Sequence, residues 1–329
     1  MARPIRGAKA RRAVTERCAA VAPHRPGRVR TRLQLCALAL AGLLAAGPAF
    51  ADSPLTAPRL AFSQLEHAGQ VLDVEWQLPA AEPWAWLLLQ HGFMRRCANL
   101  RHTAARLAQG GVATLCVNVA DLSGGASALA AEVALRLLGP QAHAPDGRSR
   151  PARVLVSGHS AGALFAARVG AALRASQPEL LAGALLFDPV GGAALGDALS
   201  AMAGAGNVQG RVPVLALLAP PLKCNAQHLA LPALQRLADE AAAAGVPSPQ
   251  VWVFPAGATH VDVEAEDTEA VAVWACGDGW PQPAQVEALR SASLVWLDGV
   301  RGRLPPGELA AQVRARLPAD ARPVSSTPK

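Results

Sequence analysis

The sequence predicts an α/β fold: a mostly parallel central sheet flanked by helices, with an antiparallel hairpin at its N-terminal edge. Three observations predict it. From residue 84 to residue 254, short apolar runs alternate with helix-length runs, the pattern of successive parallel strands joined by helices. Before them, residues 58–65 and 70–78 alternate loosely on either side of Gly69, as two strands of a hairpin do. Near mid-chain, Gly158-His159-Ser160-Ala161-Gly162 joins the apolar strand Val154–Val156 to a helical run from Ala163 to Leu173 with no residues to spare.

The elements follow in order. Residues 84–90 (Trp-Ala-Trp-Leu-Leu-Leu-Gln) form a buried strand that ends in His91-Gly92-Phe93-Met94. Residues 99–109 read as a helix stopped by Gly110-Gly111, and 112–117 as the next strand. A helix over 126–138 closes at Gly139-Pro140 and a polar loop covers 141–151. After the elbow come a strand at 180–187 ending in Asp188-Pro189, a strand at 212–218 closed by Pro220-Pro221, and a helix at 229–244. A strand at 251–254 leads through a short Gly-containing loop to His260, and helices at 285–300 and 308–317 finish the domain. No linker composition interrupts 52–317, so this stretch reads as one domain. Residues 318–329 are polar and read as a disordered tail.

The net charge of +7 is concentrated in the first 51 residues, which hold ten Lys/Arg and one acid, Glu16. The remainder has 21 basic and 23 acidic residues, and no basic stripe that would bind nucleic acid. Arg28, Arg30 and Arg32 precede the apolar run Leu33–Ala46, and Ala49-Phe50-Ala51 follows. That is a basic region, a hydrophobic region and an Ala-x-Ala signal, with cleavage expected after Ala51. The apolar run falls short of the roughly 20 residues that span a bilayer, so no stable anchor is expected after cleavage. The basic region is long, and translation from Val29 would leave a compact leader. Export leaves Cys97, Cys116, Cys224 and Cys276 in an oxidising compartment. Proximity favours Cys97–Cys116 and Cys224–Cys276 among three possible pairings. No Cys-x-x-Cys and no His pair at ligand spacing is present, so neither metal nor cofactor is expected.

The elbow carries the chemistry. Gly-x-Ser-x-Gly between strand and helix exposes a serine hydroxyl beside the amide that opens the helix. A serine hydroxyl is a poor nucleophile and needs a base, which in turn needs an orienting carboxylate. In this arrangement the chain order is Ser, acid, His. After Ser160 the histidines are His228, which opens a helix and reads as exposed, and His260, just past the last long strand. His260 is the expected base. The stretch after strand 212–218, Ala219-Pro220-Pro221-Leu222-Lys223-Cys224-Asn225, lacks the carboxylate usual there. Asp188, one strand earlier and at the tip of an apolar run, is the expected acid, with Asp262 and Glu264 as alternatives. Two backbone amides must receive the oxyanion: Ala161 and Phe93 are expected to supply them. His91 reads as a structural residue of its loop, and His159 as packed beneath the elbow.

With Gln90-His91-Gly92-Phe93, Gly158–Gly162, Phe187-Asp188-Pro189-Val190 and His260-Val261-Asp262, the chain resembles an α/β-hydrolase over residues 70–275. Within that superfamily it is similar to the chlorophyllase-like branch, which, like the secreted polyester hydrolases, keeps its acid after the earlier strand. The resemblance implies Ser160, Asp188 and His260 as triad, with Phe93 and Ala161 as oxyanion donors. The expectation is an exported, monomeric serine hydrolase of small-molecule or lipid-like carboxylic esters, in the periplasm or outside the cell. The alternative is a non-catalytic exported binding protein on the same scaffold.

Overall fold

The computed structural model describes residues 57–122, 126–204, 211–305 and 307–324. The expected leader at 1–51, and with it the expected cleavage after Ala51, lies outside them.

Nine strands form one sheet in the order β1-β2-β4-β3-β5-β6-β7-β8-β9. β1 (Arg59–His67) and β2 (Gln70–Leu78) are the antiparallel hairpin, paired from Arg59↔Leu78 to His67↔Gln70. β2 then lies antiparallel to β4 (Val112–Val117). From β4 the sheet is parallel through β3 (Ala85–Gln90), β5 (Val154–His159), β6 (Leu181–Phe187), β7 (Val214–Leu218) and β8 (Gln250–Val253). Central strands read as unbroken apolar runs because both faces are covered. In β3, Trp86 and Leu88 point into one core with Val154, Val156 and Phe165, while Ala85, Leu87 and Leu89 point into the other with Leu155, Phe187 and Trp296.

The helices are α1 (Arg101–Ala108), α2 (Ser127–Glu132), α3 (Gly162–Ser176), α4 (Gly192–Ala203), α5 (Leu231–Ala243), α6 (Ala270–Cys276), α7 (Pro283–Arg301) and α8 (Leu309–Arg314). The helix expected over 126–138 is α2 followed by a π-helical turn at Val133–Leu137. α6 was not foreseen: seven residues, Ala-Val-Ala-Val-Trp-Ala-Cys, are too short and too rich in valine to register as a helix.

Two expectations are corrected. The tail from Pro318 is not disordered as far as Val324. β9 (Arg322–Pro323) pairs antiparallel with β8, and the Val324 N–H donates to the Val251 carbonyl at 2.9 Å. It covers an edge that β8 would otherwise leave open, and Pro323 blunts the new one. Residues 325–329 lie outside the described set. His228 is also not exposed. It is half-buried in a turn where Ala226, Gln227 and His228 all have positive φ, and its Nε2 donates to the Ala219 carbonyl at 2.6 Å.

Both disulfides favoured by proximity are present. Cys97–Cys116 ties the segment after β3 to β4, and Cys224–Cys276 ties the β7–α5 loop to the end of α6. No helix among the described residues is long and apolar enough to cross a membrane.

Candidate active site

The site is assembled at the C-terminal ends of β3, β5, β6 and β8, where parallel sheets place their ligand crevices. The elbow between β5 and α3 needs its two glycines for a steric reason. A Cβ on Gly158 would stand 2.3 Å from the Gly162 carbonyl oxygen, and a Cβ on Gly162 would stand 2.2 Å from that of His91. Between them Ser160 is held at φ +53°, a left-handed conformation that costs a non-glycine residue on the order of 1–3 kcal/mol. The surrounding bonds enforce it: Ser160 N–H donates to Phe187 O at 3.1 Å, and Ser160 O accepts from Ala163 N–H at 3.1 Å and Val190 N–H at 3.0 Å. The elbow is thus fastened to the end of β6, from which Asp188 projects.

Asp188 is itself left-handed, at φ +39°. Its Oδ2 accepts from His260 Nδ1 at 2.6 Å, and its Oδ1 from the Ala219 N–H at 3.2 Å. The bond to the carboxylate puts the proton on Nδ1 and leaves the other ring nitrogen, Nε2, free, the tautomer a general base requires. His260 is also gripped by its backbone: its N–H donates to Asp278 Oδ2 at 2.7 Å and its carbonyl accepts from His159 Nε2 at 2.8 Å. The two imidazoles lie 4.7 Å apart between centroids. Burial, with the neighbouring His260, holds the His159 imidazole well below the ordinary range, so it is neutral and serves as a donor.

The two alternative acids do other work. Asp262 turns back on its own loop, accepting from the Thr259 N–H at 2.9 Å and the Thr259 hydroxyl at 2.7 Å, and burial pushes its carboxyl up to about 6. Glu264 is fully buried and takes a bidentate grip from Arg95, through Nε at 2.7 Å and Nη2 at 2.5 Å. Burial raises the Glu264 carboxyl, against the pull of Arg95. Arg95 also holds Glu269, so the β3–α1 loop is clamped to the segment between His260 and α6.

Ser160, His159 and His260 line an open cleft of about 740 Å³. Gly92, Phe93, Met94 and Arg95 form one side; Val261, Glu264 and the α6 residues Val271, Ala272, Ala275 and Cys276 form another. Among the described residues, neither the Phe93 nor the Ala161 N–H has a hydrogen-bond acceptor. These are the two amides expected to face an oxyanion, one on each side of Ser160 in the chain. His91 is structural as expected: its Nδ1–H donates to Gly92 O at 2.8 Å and its Nε2 accepts from the Val119 N–H at 3.2 Å. Burial lowers the His91 imidazole and keeps it neutral.

Sequence reasoning missed Asn225, Asp278, the Arg95–Glu264 pair and the α6 wall. Only Asn225 carried a signal: it stands in the loop after β7, where the carboxylate was sought.

No protein-family model matches the sequence, and no curated protein matches it. Solved structures are similar to it. A fungal esterase from Rhizomucor miehei superposes with a TM-score of 0.52 at 15% identity, over 76% of this chain and 86% of that one. A thermostable esterase from Pseudomonas putida gives 0.42 at 17% identity over 61% and 74%, and a dienelactone hydrolase from Anabaena variabilis gives 0.42 at 19% over 66% and 93%. The fungal likeness, with the strand order and the N-terminal hairpin, identifies the fold as that of the α/β-hydrolases.

Proposed function

We propose that the chain is a serine hydrolase that cleaves carboxylic esters through an acyl-enzyme. One observation carries the reading: a strained serine and an aspartate-bound histidine share one cleft, with two unengaged amides beside the serine. In this mechanism His260 Nε2 takes the proton of Ser160 Oγ as the oxygen attacks the ester carbonyl. The Phe93 and Ala161 amides receive the oxyanion, in a site where such donors are worth more than in water. His260 returns the proton to the departing alcohol. A water molecule, deprotonated in turn by His260, then releases the acid and frees Ser160. Asp188 holds the imidazole in its working tautomer throughout.

The cleft walls supplied by Met94, Val261, Val271, Ala272 and Ala275 suit an apolar acyl or alcohol group. The resemblance to chlorophyllase-like and secreted polyester hydrolases supports the same substrate class. Two disulfides support an oxidising compartment, and together with the basic and apolar run ending in Ala49-Phe50-Ala51 they support export to the periplasm or outside the cell, as a monomer in this reading. The domain runs from 52 and is released by cleavage after Ala51.

A fluorophosphonate probe tests the chemistry. It labels the wild type at Ser160 and not Ser160→Ala, and the variant's kcat on a soluble short-chain ester falls by about 10⁴-fold or more. Ester hydrolysis retained by Ser160→Ala would overturn the mechanism, and an unlabelled, inactive wild type would favour a binding protein.

A further inference from the structure

The acid of the site is held from the strand that does not supply it. Asn225 lies in the loop after β7 and is completely buried. Its Nδ2 donates to Asp188 Oδ1 and Oδ2, both at 3.2 Å, and to the Pro220 carbonyl at 2.7 Å. Its Oδ1 accepts from the Leu222 N–H at 2.8 Å and the His228 N–H at 3.2 Å, which closes the turn. An amide is needed for this, because one end must donate to a carboxylate while the other accepts from two backbone amides.

The surroundings keep that side chain still. Cys224, its chain neighbour, is bonded to Cys276 at the end of α6, and Lys223 Nζ donates to the Ala275 carbonyl at 3.0 Å. α6 in turn follows the loop that carries His260. Asn225, Asp188, His260, the 261–276 segment and the disulfide therefore form a closed ring of covalent and hydrogen bonds. We infer that Asn225 is a positioning residue of the catalytic acid, which aims Asp188 at His260 and stabilises its charge. This rests on the serine-hydrolase reading above.

The charged and titratable groups around this unit come from four segments. His260, Asp262, Glu264 and Asp278 belong to the loops after β8, His159 and Ser160 to the elbow, Lys223 and His228 to the β7–α5 loop, and Arg95 to the β3–α1 loop. Of these, His260 is bonded to Asp188 directly. The remaining donors to the carboxylate are Asn225 and the Ala219 amide.

Two substitutions separate aiming from folding. Asn225→Asp keeps the oxygen that accepts from Leu222 and His228 but replaces the donor. At low pH the new carboxyl, sharing a buried site with Asp188, retains a proton and donates it to Asp188, giving up only the bond to the Pro220 carbonyl. As it ionises, the donor is lost and two anions meet. The expected signature is a kcat that falls with rising pH through a limb that the wild type lacks, with KM changed less than threefold. Asn225→Ala removes the donor at every pH, and kcat falls about 10- to 100-fold. The measurement is kcat and KM on a soluble ester from pH 5 to 9, for wild type, both variants and Ser160→Ala. An Asn225→Asp profile parallel to the wild type overturns the inference, as does Asn225→Ala within twofold of wild-type kcat. Should Asn225→Ala fail to fold, the Asn225→Asp profile decides alone. If Ser160→Ala is inactive while the Asn225 variants behave as wild type, only this inference falls; if Ser160→Ala retains activity, the serine-hydrolase reading falls and takes it down too.

Discussion

His260 Nδ1 and Asp188 Oδ2 stand 2.6 Å apart although 72 residues separate them in the chain. Asp262, only two residues from His260, makes no bond to that imidazole and instead closes the 259–262 turn. Proximity in sequence and partnership in the site have come apart.

The consequence for activity is direct. Asp188→Asn should lower kcat by about 10⁴-fold, because an amide cannot fix the base in its working tautomer. Asp262→Asn should stay within about fivefold of wild type, since its carboxylate is engaged by Thr259 and the Gln282 backbone rather than by His260. Steady-state kinetics of the two variants at pH 8 check this. A larger loss in Asp262→Asn would reassign the acid.

Two buried groups give stability opposite pH dependences. Asp262 titrates near 6 in the fold against 3.8 ordinarily, so the folded state binds its proton more tightly. Its ionisation costs the fold on the order of 3 kcal/mol above pH 6, a cost that fades as pH falls from 6 towards 3.8. Asp262→Asn should therefore raise Tm above pH 7 and lose that advantage near pH 4. His159 behaves in the other sense. Its folded value lies well below 6.5, so the unfolded chain binds the proton and stability falls as pH drops below 6.5. His159→Gln should flatten that acid-side decline, at some cost in kcat from the lost grip on the His260 carbonyl. Thermal melts of the wild type and both variants from pH 4 to 8 measure the two slopes.

The Cys97–Cys116 bond closes a segment of 19 residues that contains α1. On chain-entropy grounds it stabilises the fold by about 3 kcal/mol. The Cys97→Ser/Cys116→Ser double variant should unfold at correspondingly lower denaturant while keeping wild-type kcat, because Cys97 and Cys116 do not line the cleft. Urea titration followed by tryptophan fluorescence gives the difference. A lost kcat with unchanged stability would mean that this bond serves the site instead.

The sequence by itself determined most of the architecture. Fully buried parallel strands must be short apolar runs, so β3 to β8 could be found by composition. A strand that turns straight into a helix leaves no room for side chains, so Gly158 and Gly162 marked Ser160. Chain order then pointed to His260, and the lack of any carboxylate after β7 pointed back to Asp188. The strands and the elbow were legible because each arises within a few residues of backbone, whereas His260 and Asp188 were expected only from the chain order that goes with such an elbow. What only the tertiary structure decided are contacts between distant segments. Asn225 against Asp188, Arg95 against Glu264, His159 against the His260 carbonyl and α6 along the cleft each depend on where two loops meet above the sheet. No local propensity encodes such a meeting. The β9 edge shows the same limit: a short stretch with two prolines and no hydrophobic period has no reason of its own to be ordered, and becomes so only because β8 offers it unpaired backbone.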